Sequence, residues 1–131
     1  MTRRHSPKTY ITKAEKALSA ARLLVKAKDA DGACNRAYYA MFDAAHAALF
    51  ALGIEGLAKP IKTHHGLLAR FGQEVIVTGR LPVEHGHDFN KVEELRLLAD
   101  YNAEPVDLAD ATWAVERAEA FVAAVKKKFR L

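Results

Sequence analysis

Residues 29–53 read DADGACNRAYYAMFDAAHAALFALG, and this stretch decides the fold. It opens on aspartates, whose side chains accept from the free N–H groups of a helix N-terminus, and it closes on Gly53, suited to the left-handed position just past a helix end. Between Ala33 and Ala51 stand eight alanines, and Tyr38, Tyr39, Met41, Phe42, Leu49 and Phe50 fill most of the remaining circumference. A helix that is apolar nearly all round belongs in an interior. Its small side chains also let neighbouring backbones approach closely. The stretch is therefore expected to be the central helix of a helical protein.

Outward from it, the chain has more than twenty alanines, long 3.6-residue periods and few β-branched runs, and breakers cut it into five segments. Upstream, Thr12 and Glu15 have capping-box spacing and predict a helix over about 13–28, with Ala14, Ala17, Leu18, Ala21, Leu24 and Val25 on one stripe. Downstream, residues 53–62, GIEGLAKPIK, read as a loop because two glycines and Pro60 interrupt any period. Thr63 caps a predicted helix to about residue 78, carrying Leu67, Leu68, Phe71, Val75 and Ile76 inward and closed by Gly79. Pro82 to Gly86 is read as a connection. A fourth helix over about 87–102 places Phe89, Val92, Leu95, Leu98 and Ala99 at core spacing, and Pro105 stops it. The fifth starts at Asp107 or Asp110 and buries Leu108, Ala111, Trp113 or Ala114, Ala118, Phe121, Val122 and Val125. Its acidic start and its Lys126-Lys127-Lys128 end both complement the helix dipole. The expected fold is all-α: an up-and-down bundle of four long helices plus one shorter helix. It forms a single domain over 1–131, with the core at about 11–128 and short basic tails.

At 131 residues and 14.5 kDa, one core can form without a disulfide or a structural metal, and Cys34 has no partner for a disulfide. Twenty Lys and Arg against 16 Asp and Glu give a net charge of +4, a mild bias toward polyanions. Arg3, Arg4 and Lys8 at the start and Lys126 to Arg130 at the finish read as solvated tails. The basic start MTRRHSPKTY is followed by a lysine-bearing amphipathic stretch rather than an apolar run, and no run approaches a bilayer span. A soluble cytoplasmic domain without membrane contact is expected.

Inside the alanine-rich helix sit Asn35, Arg36, Asp43 and His46. With Tyr39, the last three form one stripe at steps of three and four. That stripe is either a solvated face or the seam of a cleft or homodimer, where Arg and Tyr are enriched. In the fourth helix Glu93, Arg96 and Asp100 can form a charge ladder, with Tyr101 and Asn102 following. Such a group near a helix end serves either as a surface salt bridge or as a phosphate or ribose contact. His64-His65 and His85-Gly-His87 lack His-x3-His spacing and a companion cysteine cluster, so neither a metal nor a cofactor is expected. Cys34, among alanines with no base nearby in sequence, reads as a buried structural thiol.

The run from Asn35 to Phe42, NRAYYAMF, followed by Asp43-Ala-Ala-His46, resembles the signature second helix of small bacterial and archaeal HEPN-domain proteins. Lys62-Thr63-His64-His65-Gly66-Leu67 with Phe71-Gly72 resembles that family's third-helix entry, and Arg96-Leu-Leu-Ala-Asp100-Tyr101 its arginine-x3-aspartate-tyrosine element. The ordered blocks span residues 11 to 125. The resemblance implies a bundle of four or five helices that dimerises, with polar residues facing a cleft at the dimer interface. It also implies a genomic partner, a minimal nucleotidyltransferase. In such pairs the HEPN protein is an RNA-cleaving toxin, and the nucleotidyltransferase neutralises it, in some cases by adding AMP to a tyrosine.

One element of the family pattern is missing. Active relatives carry an arginine followed after four to six residues by a histidine, whereas Arg96 is followed at those positions by Tyr101, Asn102 and Ala103, and Arg36 lies ten residues before His46. Metal-independent RNA cleavage needs a group to take the 2′-hydroxyl proton and a cation for the developing phosphorane charge. Arg96 fits the cation. Tyr101 is a poor base and Asp100 a modest one at their ordinary pKa values. His46 is a base candidate if the bundle carries it to Arg96. The expected function is therefore one half of a toxin–antitoxin-like pair that binds or cleaves RNA. Arg96, Asp100, Tyr101 and His46 are its candidate catalytic residues, and Arg36, Tyr39 and Asn102 its candidate substrate contacts. The alternatives are a non-catalytic bundle that binds a nucleotide or a protein partner through the same cleft, and a structural adaptor.

Overall fold

The computed structural model describes residues 6–54 and 63–131. Its five helices are α1 (Pro7–Lys26), α2 (Ala30–Ala51), α3 (His64–Phe71), α4 (Val83–Tyr101) and α5 (Leu108–Phe129), and no strand occurs among the described residues. The all-α bundle of four long helices and a shorter one is thus the observed fold. Arg3, Arg4, Pro60 and most of the expected 53–62 loop lie outside the described residues.

Asp29 caps α2 by accepting from the Gly32 N–H at 2.9 Å, and Gly53 follows it at φ 79°. Fourteen of its 22 residues are buried, and it packs against α1, α3, α4 and α5. The alanines Ala33, Ala37, Ala40, Ala44, Ala45, Ala47 and Ala48 are fully covered. Arg22 pairs with Glu119, and Lys126 with Glu15 at 2.6 Å, so numbering rises along α1 as it falls along α5 and the two run antiparallel. The α4 helix is antiparallel to α2 on the same logic, since Asn35 meets Asp100 and Tyr38 meets Arg96. Phe71, Phe89 and Phe121 close the far side of the core, each within 5.7 Å of the other two, centroid to centroid.

Several element ends differ from the sequence expectation, each for a local reason. The first helix begins at Pro7 rather than near residue 13. Ser6 supplies the cap, accepting from the Thr9 N–H at 3.2 Å, and the proline loses nothing where the first helical N–H is free anyway. Thr12 is then inside the helix, its hydroxyl donating to the Lys8 carbonyl at 3.1 Å. The third segment stops being α-helical at Phe71 and continues as one π-helical turn, Gly72–Ile76, in which the Val77 N–H reaches the Gly72 carbonyl at 2.8 Å. The fourth starts at Val83, so Pro82 to Gly86 is largely helix rather than connection. Gly86 belongs there because a Cβ at that position would come within 3.3 Å of Ile76. Leu98 and Leu108, expected in the core, are 49% and 37% exposed. The inward line of α4 runs through Phe89, Val92 and Arg96, and Leu98 lies about 200° round from Arg96.

Ser6→Ala is expected to lower the unfolding free energy in a urea titration by about 1 kcal/mol, whereas Thr12→Ala changes it by less than about 0.5 kcal/mol. The reverse ranking would return the cap to Thr12.

Candidate functional site

The polar residues of α2 have little solvent to face, and one of them, Asn35, reaches across to α4. Arg36 donates from Nε and Nη2 to the Asn35 side-chain oxygen at 3.2 and 2.9 Å, and its guanidinium lies 5.1 Å from the Tyr39 ring centre. Asn35 in turn donates to Asp100 at 3.5 Å, and Asp100 accepts from Arg96 Nη1 at 3.2 Å. The four side chains form a continuous path from the outer arginine to the inner one. Arg96 is only 8% exposed, and its guanidinium sits 4.7 Å from the centre of the Tyr38 ring. Burial opposes the Arg96 charge, but the Asp100 hydrogen bond and the Tyr38 and Tyr39 phenols outweigh it and raise its pKa. Among the described residues its Nε has no hydrogen-bond partner. A cation over a desolvated aromatic face is worth about 2 kcal/mol, which helps hold the charge in place.

The same Tyr38 ring carries a histidine. Its hydroxyl is 2.8 Å from His64 Nδ1, and the two rings stack with centroids 5.5 Å apart. His64 begins α3, held there by Thr63, whose hydroxyl accepts from the Gly66 N–H at 2.9 Å. Burial first, then Arg96, lowers the His64 pKa below the usual imidazole value, with Glu93 pulling the other way. The Tyr38 phenol is pushed up, chiefly by burial and then by Glu93, and stays protonated. Arg96 and His64, far apart in the chain, thus share one neighbour in the Tyr38 side chain.

His46 occupies a different place. It stacks on Tyr10, ring centres 4.9 Å apart, and Phe42 contacts both His46 at 4.8 Å and His64 at 4.6 Å. Burial, then Lys13 and His64, lower its pKa to about 4, so it is neutral at pH 7. Asp43, one turn before it, is pushed up to about 6 by burial, against the pull of Lys13 and Arg36. Tyr101 is 80% exposed and lines a groove of about 580 Å³ on the outer side of α4 with Asn102, Glu94, Leu97 and Leu98.

Of the seven residues singled out from sequence, Arg36, Tyr39, Arg96 and Asp100 are therefore brought together on the α2–α4 face. His46 is a neighbour through Phe42, and Tyr101 and Asn102 lie along a separate groove. The residues that the spacing argument passed over are Tyr38, assigned to packing, and His64, considered only as half of a metal pair. The signal for His64 was present in Thr63, a cap that fixes the start of α3. Among the described residues no group of three or more His, Cys, Asp or Glu is placed to hold a metal ion. The Cys34 thiol is buried and pushed up to about 11, by burial first and then by Asp31 and Asp110, which fits a structural role.

The sequence model of the HEPN domain matches residues 8–128. The chain is 40% identical over 89 residues to a UPF0332 protein of Gloeobacter violaceus, covering 68% of this chain and 67% of that protein. It is 34% identical over 118 residues to a UPF0332 protein of Thermotoga maritima, covering 88% and 84%. It is 32% identical over 117 residues, covering 89% and 84%, to a Methanocaldococcus jannaschii protein named "Putative toxin MJ0605".

The two shifted groups of α2 pull stability in opposite directions with pH. His46, with its folded pKa depressed, stabilises the fold above the unfolded value near 6.5 and loses that contribution as pH falls toward 4. Asp43, with its folded pKa raised, contributes below 3.8 and loses that contribution as pH rises through about 6. On acidification from pH 6 to 4, Asp43→Asn is therefore expected to lose on the order of 2 kcal/mol and His46→Gln to gain on the order of 2 kcal/mol in denaturant titrations. Parallel pH profiles for the two variants would contradict the burial of both groups.

Proposed function

The chain belongs to the HEPN domain family, and from that premise we propose that it is the toxin-like half of a two-protein pair and acts on RNA by metal-independent cleavage. The observation that carries the reading is the meeting of His64 and Arg96 on the Tyr38 ring. It supplies from α3 and α4 the base and the cation that the family's usual motif takes from one helix.

In this reading the Nδ1–H of His64 donates to the Tyr38 oxygen, which leaves the lone pair on Nε2 to take the 2′-hydroxyl proton. The 2′-oxygen then attacks the adjacent phosphorus, the bond to the 5′-oxygen breaks, and a 2′,3′-cyclic phosphate is left, with the departing oxygen taking a proton from water and His64 returning its own to solvent. Arg96 supplies fixed positive charge below the developing phosphorane, and Asp100 and Tyr38 keep it from moving. Arg36 is the outer cation, oriented by Asn35. His46, tucked against Tyr10, is assigned to packing rather than to proton transfer.

Two partners belong to the proposal. The exposed apolar groove of Leu97, Leu98 and Tyr101 on α4 suits a second copy of the chain. The exposed Tyr101 phenol suits modification by a nucleotidyltransferase. The name of the Methanocaldococcus relative supports a toxin-like role. No helix of the described residues is long and apolar enough to cross a membrane.

Purified protein is expected to cleave single-stranded RNA without added metal. His64→Gln and Arg96→Gln should each lower the rate by about 10²–10⁴-fold, while His46→Gln leaves it within a few fold. Expression of the wild type should arrest growth and that of the two inactive variants should not. RNA binding without cleavage would support the non-catalytic reading. Cleavage that survives in His64→Gln would remove the imidazole from the mechanism.

A further inference from the structure

A second feature lies between α1 and α2. Ala17 and Ala20 of α1 are too small to close the space against Arg36, Tyr39 and Phe42, and a groove of about 390 Å³ is left. Lys13 and Lys16, both exposed and one turn apart, stand on its α1 wall, and Arg36 stands on its α2 wall. Asp43 is the only acid among its lining residues. The Arg36 guanidinium is already oriented, held on one side by the Asn35 oxygen at 2.9 Å and lying 5.1 Å from the Tyr39 ring centre.

We propose that this α1–α2 groove binds a segment of single-stranded nucleic acid, with one backbone phosphate between Lys13, Lys16 and Arg36 and the adjoining base against Tyr39 and Phe42. Three cations around an open space match a phosphodiester, which has no proton to give and only acceptor oxygens to offer. Half-buried aromatic rings beside the cations match the flat face of a base, and such stacking tolerates any base. Arg36 links the two regions of the surface, because the path from it through Asn35 and Asp100 ends at Arg96. A strand held at Arg36 would run from the α1–α2 groove toward the His64–Tyr38–Arg96 cluster. The inference takes its kind of ligand from the RNA reading above and shares Arg36 with it, but Lys13, Lys16 and Asp43 are distinct from His64 and Arg96.

Asp43 makes the groove responsive to pH. Facing it are Lys13 and Lys16 from α1, Arg36, Tyr39 and His46 from its own helix, and His64 beyond His46. His46, with a pKa of about 4, stays largely neutral from pH 8 to 5. Asp43, with its pKa at about 6, loses its charge across that range. A phosphodiester therefore meets one negative charge fewer at pH 5.

The test uses a short oligothymidylate with hydroxyl ends, which lacks the 2′-hydroxyl needed for cleavage and has no group titrating between pH 5 and 8. The full chain is expected to bind it, and the Lys13→Gln/Lys16→Gln double variant to bind at least about tenfold more weakly with an unchanged circular dichroism spectrum. Wild-type affinity should rise from pH 8 to 5. Asp43→Asn should bind more tightly at pH 8 and lose most of that rise, and His64→Gln should keep it. Equal affinity in wild type and the double variant overturns the proposal. So does thymidine monophosphate or inorganic phosphate binding as tightly as the strand, since either would make the groove a pocket for a free anion. A strand that binds through the lysines while RNA is never cleaved upholds the groove and removes the cleavage reading. Cleavage that depends on His64 with no loss in the double variant does the opposite.

Discussion

A helix packed against four others has almost no face left for water, and that constraint organises this protein. The alanines of α2 permit it: with a methyl group as the largest projection, neighbouring helices come close enough to cover fourteen of its 22 residues. The consequence is that any polar residue on α2 must find its partner inside the protein or at a narrow opening. Asn35 and Arg36 find each other and Asp100, and His46 finds the Tyr10 ring. The candidate site is the set of places where the covering of α2 is incomplete.

The inner arginine shows how the balance is struck. Removing a guanidinium from water is costly, and Arg96 has one partly exposed carboxylate and one aromatic face in return. Neutral residues of similar volume would fill the space with less electrostatic cost. Arg96 Nε is left without a hydrogen-bond partner among the described residues, so the pairing returns only part of that cost. His64 and His46 are both held toward neutrality and Tyr38 stays protonated, which leaves Asp100 and Glu93 as the acids set against the Arg96 charge.

The helices themselves were largely legible, because their signals are local. Asp29 before the alanine run, Gly53 after it and Thr63 before His64 each act within one helical turn, and each does in the structure what its chemistry predicts. The errors arise where two local signals compete or where a neighbour decides. Thr12 with Glu15 and Ser6 with Pro7 both make plausible starts, and the earlier pair wins because the extra turn adds Ile11 to the core. The close fit of Gly86 against Ile76 is a contact between two segments, which no spacing within either one records. Leu98 stands at core spacing from Leu95, yet the inward position on that turn belongs to Arg96.

By itself the sequence determined the class of fold, the identity of the central helix and the placing of Arg36 with Tyr39, and of Arg96 with Asp100, along single helix faces. Those are properties of periodicity and composition, set by neighbours three and four residues away. Only the tertiary structure decided which histidine shares the Tyr38 side chain with Arg96. His46 shares a helix with Arg36, and by spacing it was the natural candidate. The close packing of α3 and α4 on α2 instead brings His64 and Arg96 to the Tyr38 ring, from positions 26 residues after and 58 residues after it in the chain. A helix face reports its own neighbours faithfully, but the groups that meet across three helices are chosen by how those helices dock.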